Sequence, residues 1–188
     1  MDASQLTDAY LDLEFANADT SIFRDLSLNF KKQLSEGALE PQERFMNLLA
    51  AATALGNKPM AELARSALTE LGVEGSHIRE SAEVAGLMGM NNIYYKFRNY
   101  VGEGLTAEHY NRAGLRMQSM MKPHVGKHAF EMLSLTVSII NGCPVCVSSH
   151  EKSLRELSVA PEKIHDAIRL AACAKGLDSL KTAREFMA

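Results

Sequence analysis

A chain of 188 residues is long enough to bury a core without disulfide staples or structural metals, so a single domain over 1–188 is expected. With 46% hydrophobic and 23% charged residues and a formal charge of −3, it is neither a disordered polymer nor basic enough for nucleic acid or an anionic membrane surface. Met1-Asp2-Ala3-Ser4-Gln5-Leu6 lacks the basic and apolar parts of a secretion signal, and no stretch reaches the roughly 18 apolar residues of a membrane span; a cytoplasmic location is expected.

In chain order, residues 3–36 read as two helices joined near Asn17-Ala18-Asp19-Thr20-Ser21, with Asp19 or Thr20 as cap of the second. Gly37 and Pro41 break the pattern. Phe45, Leu48, Leu49, Ala52 and Leu55 then recur at helical spacing and stop at Gly56-Asn57, and Pro59 stands where the next helix opens. Helical periodicity continues over Met60–Leu71 and Ser76–Lys96, is interrupted by a turn around Gly102-Glu103-Gly104, and resumes over Arg112–Met121 before Pro123. Residues 126–140 form an apolar helix ended by Asn141-Gly142. Pro144 opens another, and Val159-Ala160-Pro161 precedes a final helix or pair of helices. No period-two strand is present, and the fold class is all-α.

An internal repeat runs through this pattern. Gly56, Leu68, Leu71, Val73 and Ile78 recur 86 residues later as Gly142, Leu154, Leu157, Val159 and Ile164, as in a duplicated helical unit. The offset puts Asn57, Met60 and Ala64 in the places of Cys143, Cys146 and His150. The first copy therefore has the scaffold without the reactive groups.

Three cysteines are too few for a disulfide framework, and a reducing cytosol leaves room only for transient pairing, which directs attention to Cys143-Pro144-Val145-Cys146. Glu131 precedes Cys143 by eleven intervening residues, and His150 follows Cys146 after three. On a helix opened by Pro144, Cys143, Cys146 and His150 stand at i, i+3 and i+7 and share one face. A thiol becomes nucleophilic as thiolate, which a helix N-terminus and a nearby basic group both favour. If Asn141-Gly142 is the hinge of an antiparallel helix pair, Glu131 and His150 lie about 16 Å and about 12 Å from it along their helices, close enough to meet. A carboxylate in so apolar a helix needs a hydrogen-bond partner, and the imidazole would supply one, giving a relay from Glu131 through His150 to a thiol. Position at the cap favours Cys143 as nucleophile and i,i+4 pairing with His150 favours Cys146; these considerations leave the choice open.

Competing readings are half a zinc site, which lacks its second ligand pair, two inert buried cysteines, and a thioredoxin-like domain, which needs strands that the flanking periodicity does not offer. His77, His109, His124, His128 and His165 share no spacing and read as surface or structural residues. Cys173 reads as core, and the methionines, Met117, Met120 and Met121 among them, as adaptable packing or a subunit contact.

At Glu131, Cys143, Cys146 and His150 the chain resembles the alkylhydroperoxidase D family of the carboxymuconolactone decarboxylase-like superfamily, whose motif is Glu, eleven residues, Cys-x-x-Cys, three residues, His. Met88-Gly89-Met90-Asn91-Asn92-Ile93-Tyr94-Tyr95 and Gly114-Leu115-Arg116-Met117 look like further signatures of that family. The similarity runs from about residue 40 to the end, with the N-terminal helices of 1–40 loosely matched and the redox-active half at about 112–188.

The resemblance implies an all-helical fold with two related halves, a homotrimer or higher symmetric oligomer, and reduction of organic hydroperoxides with no bound haem, flavin or metal. Dihydrolipoamide of a lipoylated protein would be the external reductant. It further implies that Cys146 is peroxidatic and passes through a sulfenic acid, that Cys143 donates a proton and then resolves it as a disulfide, and that Glu131 and His150 form the proton relay. An alkylhydroperoxidase C-type peroxiredoxin is the implied protein partner, regenerated by thiol–disulfide exchange. Val145 departs from the family, whose best-known member carries a histidine there, and puts any contribution of that imidazole in doubt. Two other functions fit the same sequence: a carboxymuconolactone-decarboxylase-like enzyme, which needs no dithiol, and a non-catalytic redox sensor.

Overall fold

The computed structural model describes residues 2–187, and among these there are nine α-helices and no strand. The helices are α1 (Ala3–Glu14), α2 (Ser21–Ser35), α3 (Pro41–Leu55), α4 (Lys58–Glu70), α5 (Gly75–Val101), α6 (Glu103–His109), α7 (Lys127–Ile140), α8 (Pro144–Glu156) and α9 (Pro161–Met187). Their ends follow local chemistry. Asp2 and Gln5 close a capping box on α1, the Thr20 hydroxyl accepts from the Phe23 amide at the start of α2, and Pro41 and Pro144 open α3 and α8.

The repeat is visible helix by helix. Shifted by 86 residues, α4 superposes in sequence on α8 and α5 on α9 with identical bounds, and α3 and α7 start at equivalent positions. The helix ends are closed in the same way. The Asn57 amide donates to Ala52 O at 2.9 Å and the Cys143 amide to Ser138 O at 3.0 Å, while Val73 and Val159 donate to Leu68 O and Leu154 O, both at 3.0 Å. Gly56 and Gly142 both take the left-handed conformation, with φ of 72° and 64°, which lets each helix turn directly into the next.

Each copy is thus a three-helix unit, and the two units interlock. α3 packs on α7 at the centre, α5 packs on both, and α9 packs on both in the reciprocal arrangement. Phe45, Leu48, Met60, Leu68, Phe130, Leu133, Leu170 and Leu177 fill the main core between them. α1 lies on α4 and α2 on α9, with Tyr10, Phe15 and Phe30 sealing the contact. The exchange of third helices has one functional result: α8, which carries the dithiol, is faced by α5 of the other unit.

Two sequence expectations are corrected. Arg112–Met121 does not form an α-helix: residues 111–117 are irregular and are followed by a single 3-10 turn, Gln118–Met121. Gly114 sits in the left-handed region at φ 64°, which interrupts helical hydrogen bonding, and the apolar spacing there instead serves residues turned towards the interior. The turn expected around Gly102-Glu103-Gly104 narrows to Gly102, because Glu103 and Gly104 already belong to α6. The C-terminal segment is one helix of 27 residues. No helix is long and apolar enough to cross a membrane among the described residues.

Candidate active site

α7 and α8 form an antiparallel pair hinged at Asn141-Gly142, and the four residues singled out in sequence converge across it. Cys143 is the N-cap of α8, and its sulfur is bonded to that of Cys146, with the Cα atoms 5.3 Å apart. One turn further along α8, His150 Nδ1 lies 2.7 Å from Glu131 Oε2 on α7. The other carboxylate oxygen, Oε1, accepts from Lys127 Nζ at 2.7 Å, one turn earlier on α7.

These contacts settle the protonation pattern. Glu131 is only 4% exposed, and burial pushes its carboxyl up; the hydrogen bonds and positive charge of His150 and Lys127 outweigh this and hold it below the usual carboxylate range. An ionised carboxylate can only accept, so Nδ1 of His150 carries the proton and donates it to Oε2. Nε2 remains as the nitrogen that can exchange a proton within the site.

The two cysteines differ in access. Cys143 is 0% exposed, whereas Cys146 is 7% exposed and opens, with Ser149 and His150, into a cleft of about 300 Å³. The opposite wall of the cleft is Met88, Asn91, Asn92 and Tyr95 of α5, and its rim is Val145 with Met117 and Met120 of the irregular segment. A second cleft, of about 380 Å³, has no cysteine in its lining, and its charged groups Lys163 and Glu43 pair with one another at 2.7 Å. The dithiol opens only into the first of these two.

A polar network ties the hinge to α5. Asn92 donates to Ser138 Oγ and accepts from Asn141 Nδ2, both at 2.9 Å, and Lys96 Nζ donates to the Asn141 carbonyl at 3.0 Å. These bonds hold the loop that carries Cys143 against the other unit. The equivalent hinge of the first copy is held in the same way, by Asn57 Nδ2 donating to Asp178 at 3.1 Å, and Asp178 is the residue at Asn92's place in α9.

The first copy shows what the scaffold does without chemistry. Phe45 stands at the position of Glu131, Met60 at Cys146, Ala64 at His150, Ala174 at Met88 and Leu177 at Asn91. All five are fully or almost fully buried members of the main core. At these five positions the first copy is packed core where the second keeps a cleft.

Sequence reasoning missed Lys127 and Lys96, and it placed Asn91 and Asn92 in the Met88–Tyr95 family signature without giving them a role. Lys127 had a signal, since it stands four residues before Glu131 on the same helix face. For the residues of α5 the signature pointed to the family but not to a place, because only the exchange of helices between units brings them to α8. Met117 and Met120, read from sequence as adaptable packing or a subunit contact, line the cleft. His77, His109, His124, His128 and His165 are absent from its lining, and Cys173 is half-buried against the core, where burial pushes its thiol up.

Residues 108–188 match the model of the carboxymuconolactone decarboxylase family. The chain is 38% identical over 150 residues to the alkyl hydroperoxide reductase AhpD of Anaeromyxobacter dehalogenans (strain 2CP-C), covering 79% of this chain and 78% of that protein. It is 37% identical over 168 residues to the AhpD of Rhizorhabdus wittichii, covering 86% and 92%, and 41% identical over 151 residues to that of Frankia alni, covering 79% and 78%. Identity at this level over most of both chains, on an all-helical fold with the dithiol at its hinge, means that the chain belongs to the alkyl hydroperoxide reductase AhpD family.

Proposed function

We propose that this protein is a dithiol peroxidase that reduces organic hydroperoxides at Cys146, with dihydrolipoamide as external reductant. The observation that carries the reading is the asymmetry of the cysteine pair: Cys146 faces a cleft beside His150, and Cys143 is sealed behind it at the cap of α8. In the reduced enzyme the Cys146 thiolate attacks the terminal oxygen of the hydroperoxide. The O–O bond breaks, the sulfur is oxidised to a sulfenic acid, and the departing alkoxide takes a proton from His150 or from the Cys143 thiol. Cys143 then attacks the Cys146 sulfur, the S–S bond forms, and water leaves. The disulfide in the structure corresponds to this final state. Two thiols of dihydrolipoamide restore the dithiol by exchange and depart as the cyclic disulfide.

Glu131 supports this cycle by holding the imidazole in one tautomer and balancing its positive charge. Lys127 keeps Glu131 ionised. The cleft wall of Met88, Met117, Met120 and Val145 suits an alkyl group better than a charged one. The same exchange chemistry serves a second role, carrying electrons from a lipoylated protein to an alkylhydroperoxidase C-type peroxiredoxin. Val145, 40% exposed beside the disulfide, would meet such a partner. Assembly into a symmetric homo-oligomer, a homotrimer or larger, is supported by the exposed apolar stripe Ile93, Phe97 and Tyr100 along α5. A cytoplasmic setting, where lipoylated dehydrogenases and reducing equivalents reside, completes the reading.

The test is peroxide consumption with lipoamide, lipoamide dehydrogenase and NADH, comparing wild type with Cys146→Ser, with and without a peroxiredoxin. Turnover without the peroxiredoxin, lost in Cys146→Ser, supports the peroxidase. Turnover only with it makes the protein an electron carrier. Retained turnover in Cys146→Ser refutes the assignment.

A further inference from the structure

We propose that the side-chain carboxamide of Asn91 binds the hydroperoxide group itself, holding its terminal oxygen against Cys146. The proposal rests on the peroxidase reading above and adds the residue that recognises the reacting atoms.

Three observations carry it. Asn91 is 4% exposed and lies in the wall of the cleft opposite Cys146 and His150. Its hydrogen-bonding capacity is unused: Oδ1 has no partner, and Nδ2 reaches only the Met120 thioether sulfur at 3.7 Å, a weak acceptor. Rotating the carboxamide by half a turn exchanges its ends and still leaves one of them unpaired. Its neighbour Asn92 is the contrast, with both ends bonded to the hinge.

The third observation is the internal control that the duplication supplies. At the position of Asn91 in the other unit stands Leu177, 0% exposed, packed where the cleft would be. The scaffold therefore accepts an apolar side chain here and does not need an amide to fold. A buried amide with an open acceptor is costly unless something in the cleft completes it.

A hydroperoxide matches the open groups. It offers one O–H donor on its terminal oxygen and an acceptor on the adjacent oxygen, and a carboxamide offers the complementary acceptor and donor side by side. With Oδ1 accepting from the terminal O–H and Nδ2 donating to the inner oxygen, both oxygens are held in one orientation. The Cys146 thiolate then attacks the terminal oxygen, the O–O bond breaks, and the charge that develops on the inner oxygen meets the Nδ2 hydrogen before it is protonated. The Met120 side chain, unbranched and on the irregular segment, moves aside when the peroxide binds.

The experiment compares two reactions of the reduced protein at Cys146, oxidation by cumene hydroperoxide in a single turnover and alkylation by iodoacetamide across pH, in wild type, Asn91→Leu and Asn91→Ser. Alkylation reports the thiolate but has no peroxide group to recognise. The expected result is a loss of at least about tenfold in peroxide oxidation for both variants, with alkylation rate and pH profile unchanged. Unchanged peroxide oxidation in either folded variant overturns the proposal, as does a parallel loss of alkylation, which would mean that Asn91 only shapes the site. The serine variant guards against a packing failure in the leucine one. A wild-type protein inert to cumene hydroperoxide but readily alkylated overturns the peroxidase reading and this inference with it.

Discussion

Replacing Glu131 by glutamine removes one negative charge from the centre of the α7–α8 pair and changes the side-chain volume very little. The carboxylate makes two 2.7 Å contacts, with His150 Nδ1 and Lys127 Nζ. Lys127 is half-exposed and can turn to water, so the loss falls mainly on His150, whose side chain is 10% exposed. A buried hydrogen bond to a charged partner contributes about 1.5–3 kcal/mol. Glutamine keeps an acceptor for Nδ1 but not the negative charge, so the site loses part of this support for positive charge beside the thiol. Alkylation of the reduced protein by iodoacetamide from pH 5 to 9 should be slower at Cys146 in the variant at neutral pH, with peroxide reduction there slower by about tenfold or more. Denaturant unfolding adds an independent check. The Glu131 carboxyl is held below its ordinary value of 4.5, so its contribution to stability is fully present above that pH and is lost as pH falls through the lower folded value. The stability gap between wild type and Glu131→Gln should therefore be widest above about pH 5 and close on acidification. An alkylation profile identical to wild type, or a gap that grows in acid, would refute the relay.

Three further outcomes follow from the packing. Asn92→Leu leaves Ser138 Oγ and Asn141 Nδ2 without their partner and should cost about 1–3 kcal/mol in urea unfolding, with slower closure of the disulfide because the hinge is loosened. Gly142→Ala forces a side chain into the left-handed region at φ 64° and should cost about 1–2 kcal/mol; Gly56→Ala at φ 72° should cost the same, an equality that thermal melts can check. Phe45→Glu places a carboxylate at the first-copy equivalent of Glu131 with Ala64 in place of the histidine, and should destabilise by more than about 3 kcal/mol, read as loss of a cooperative melt.

Much of this was legible in the chain because it depends on local rules. Helical spacing, Pro59 and Pro144 at helix starts, and Gly56 and Gly142 at helix ends located α3, α4, α7 and α8 and the hinge between the last two. The i, i+3, i+7 arrangement put Cys143, Cys146 and His150 on one face, and comparable distances from the hinge brought Glu131 to His150, as the 2.7 Å contact shows. The segment Arg112–Met121 misled for a physical reason. Apolar residues spaced three apart suit a helix face, but Met117 and Met120 have that spacing because a loop lays them into a cleft, and Gly114 keeps the backbone out of the helix.

By itself, then, the sequence determined the helices, the duplicated unit, and a dithiol with an acid–base pair beside it, since each of these is set by neighbours within a few turns. Only the tertiary structure decided what the dithiol faces. The two units exchange their third helices, so α5 of the unreactive copy supplies Asn91, Asn92, Lys96 and the cleft wall to α8 of the reactive one. It also decided that Phe45, Met60, Ala64, Ala174 and Leu177 are packed into the core while their counterparts in the other copy border a cleft or the dithiol site. Contacts between residues that far apart in the chain depend on how whole helices pack, and no local pattern encodes them.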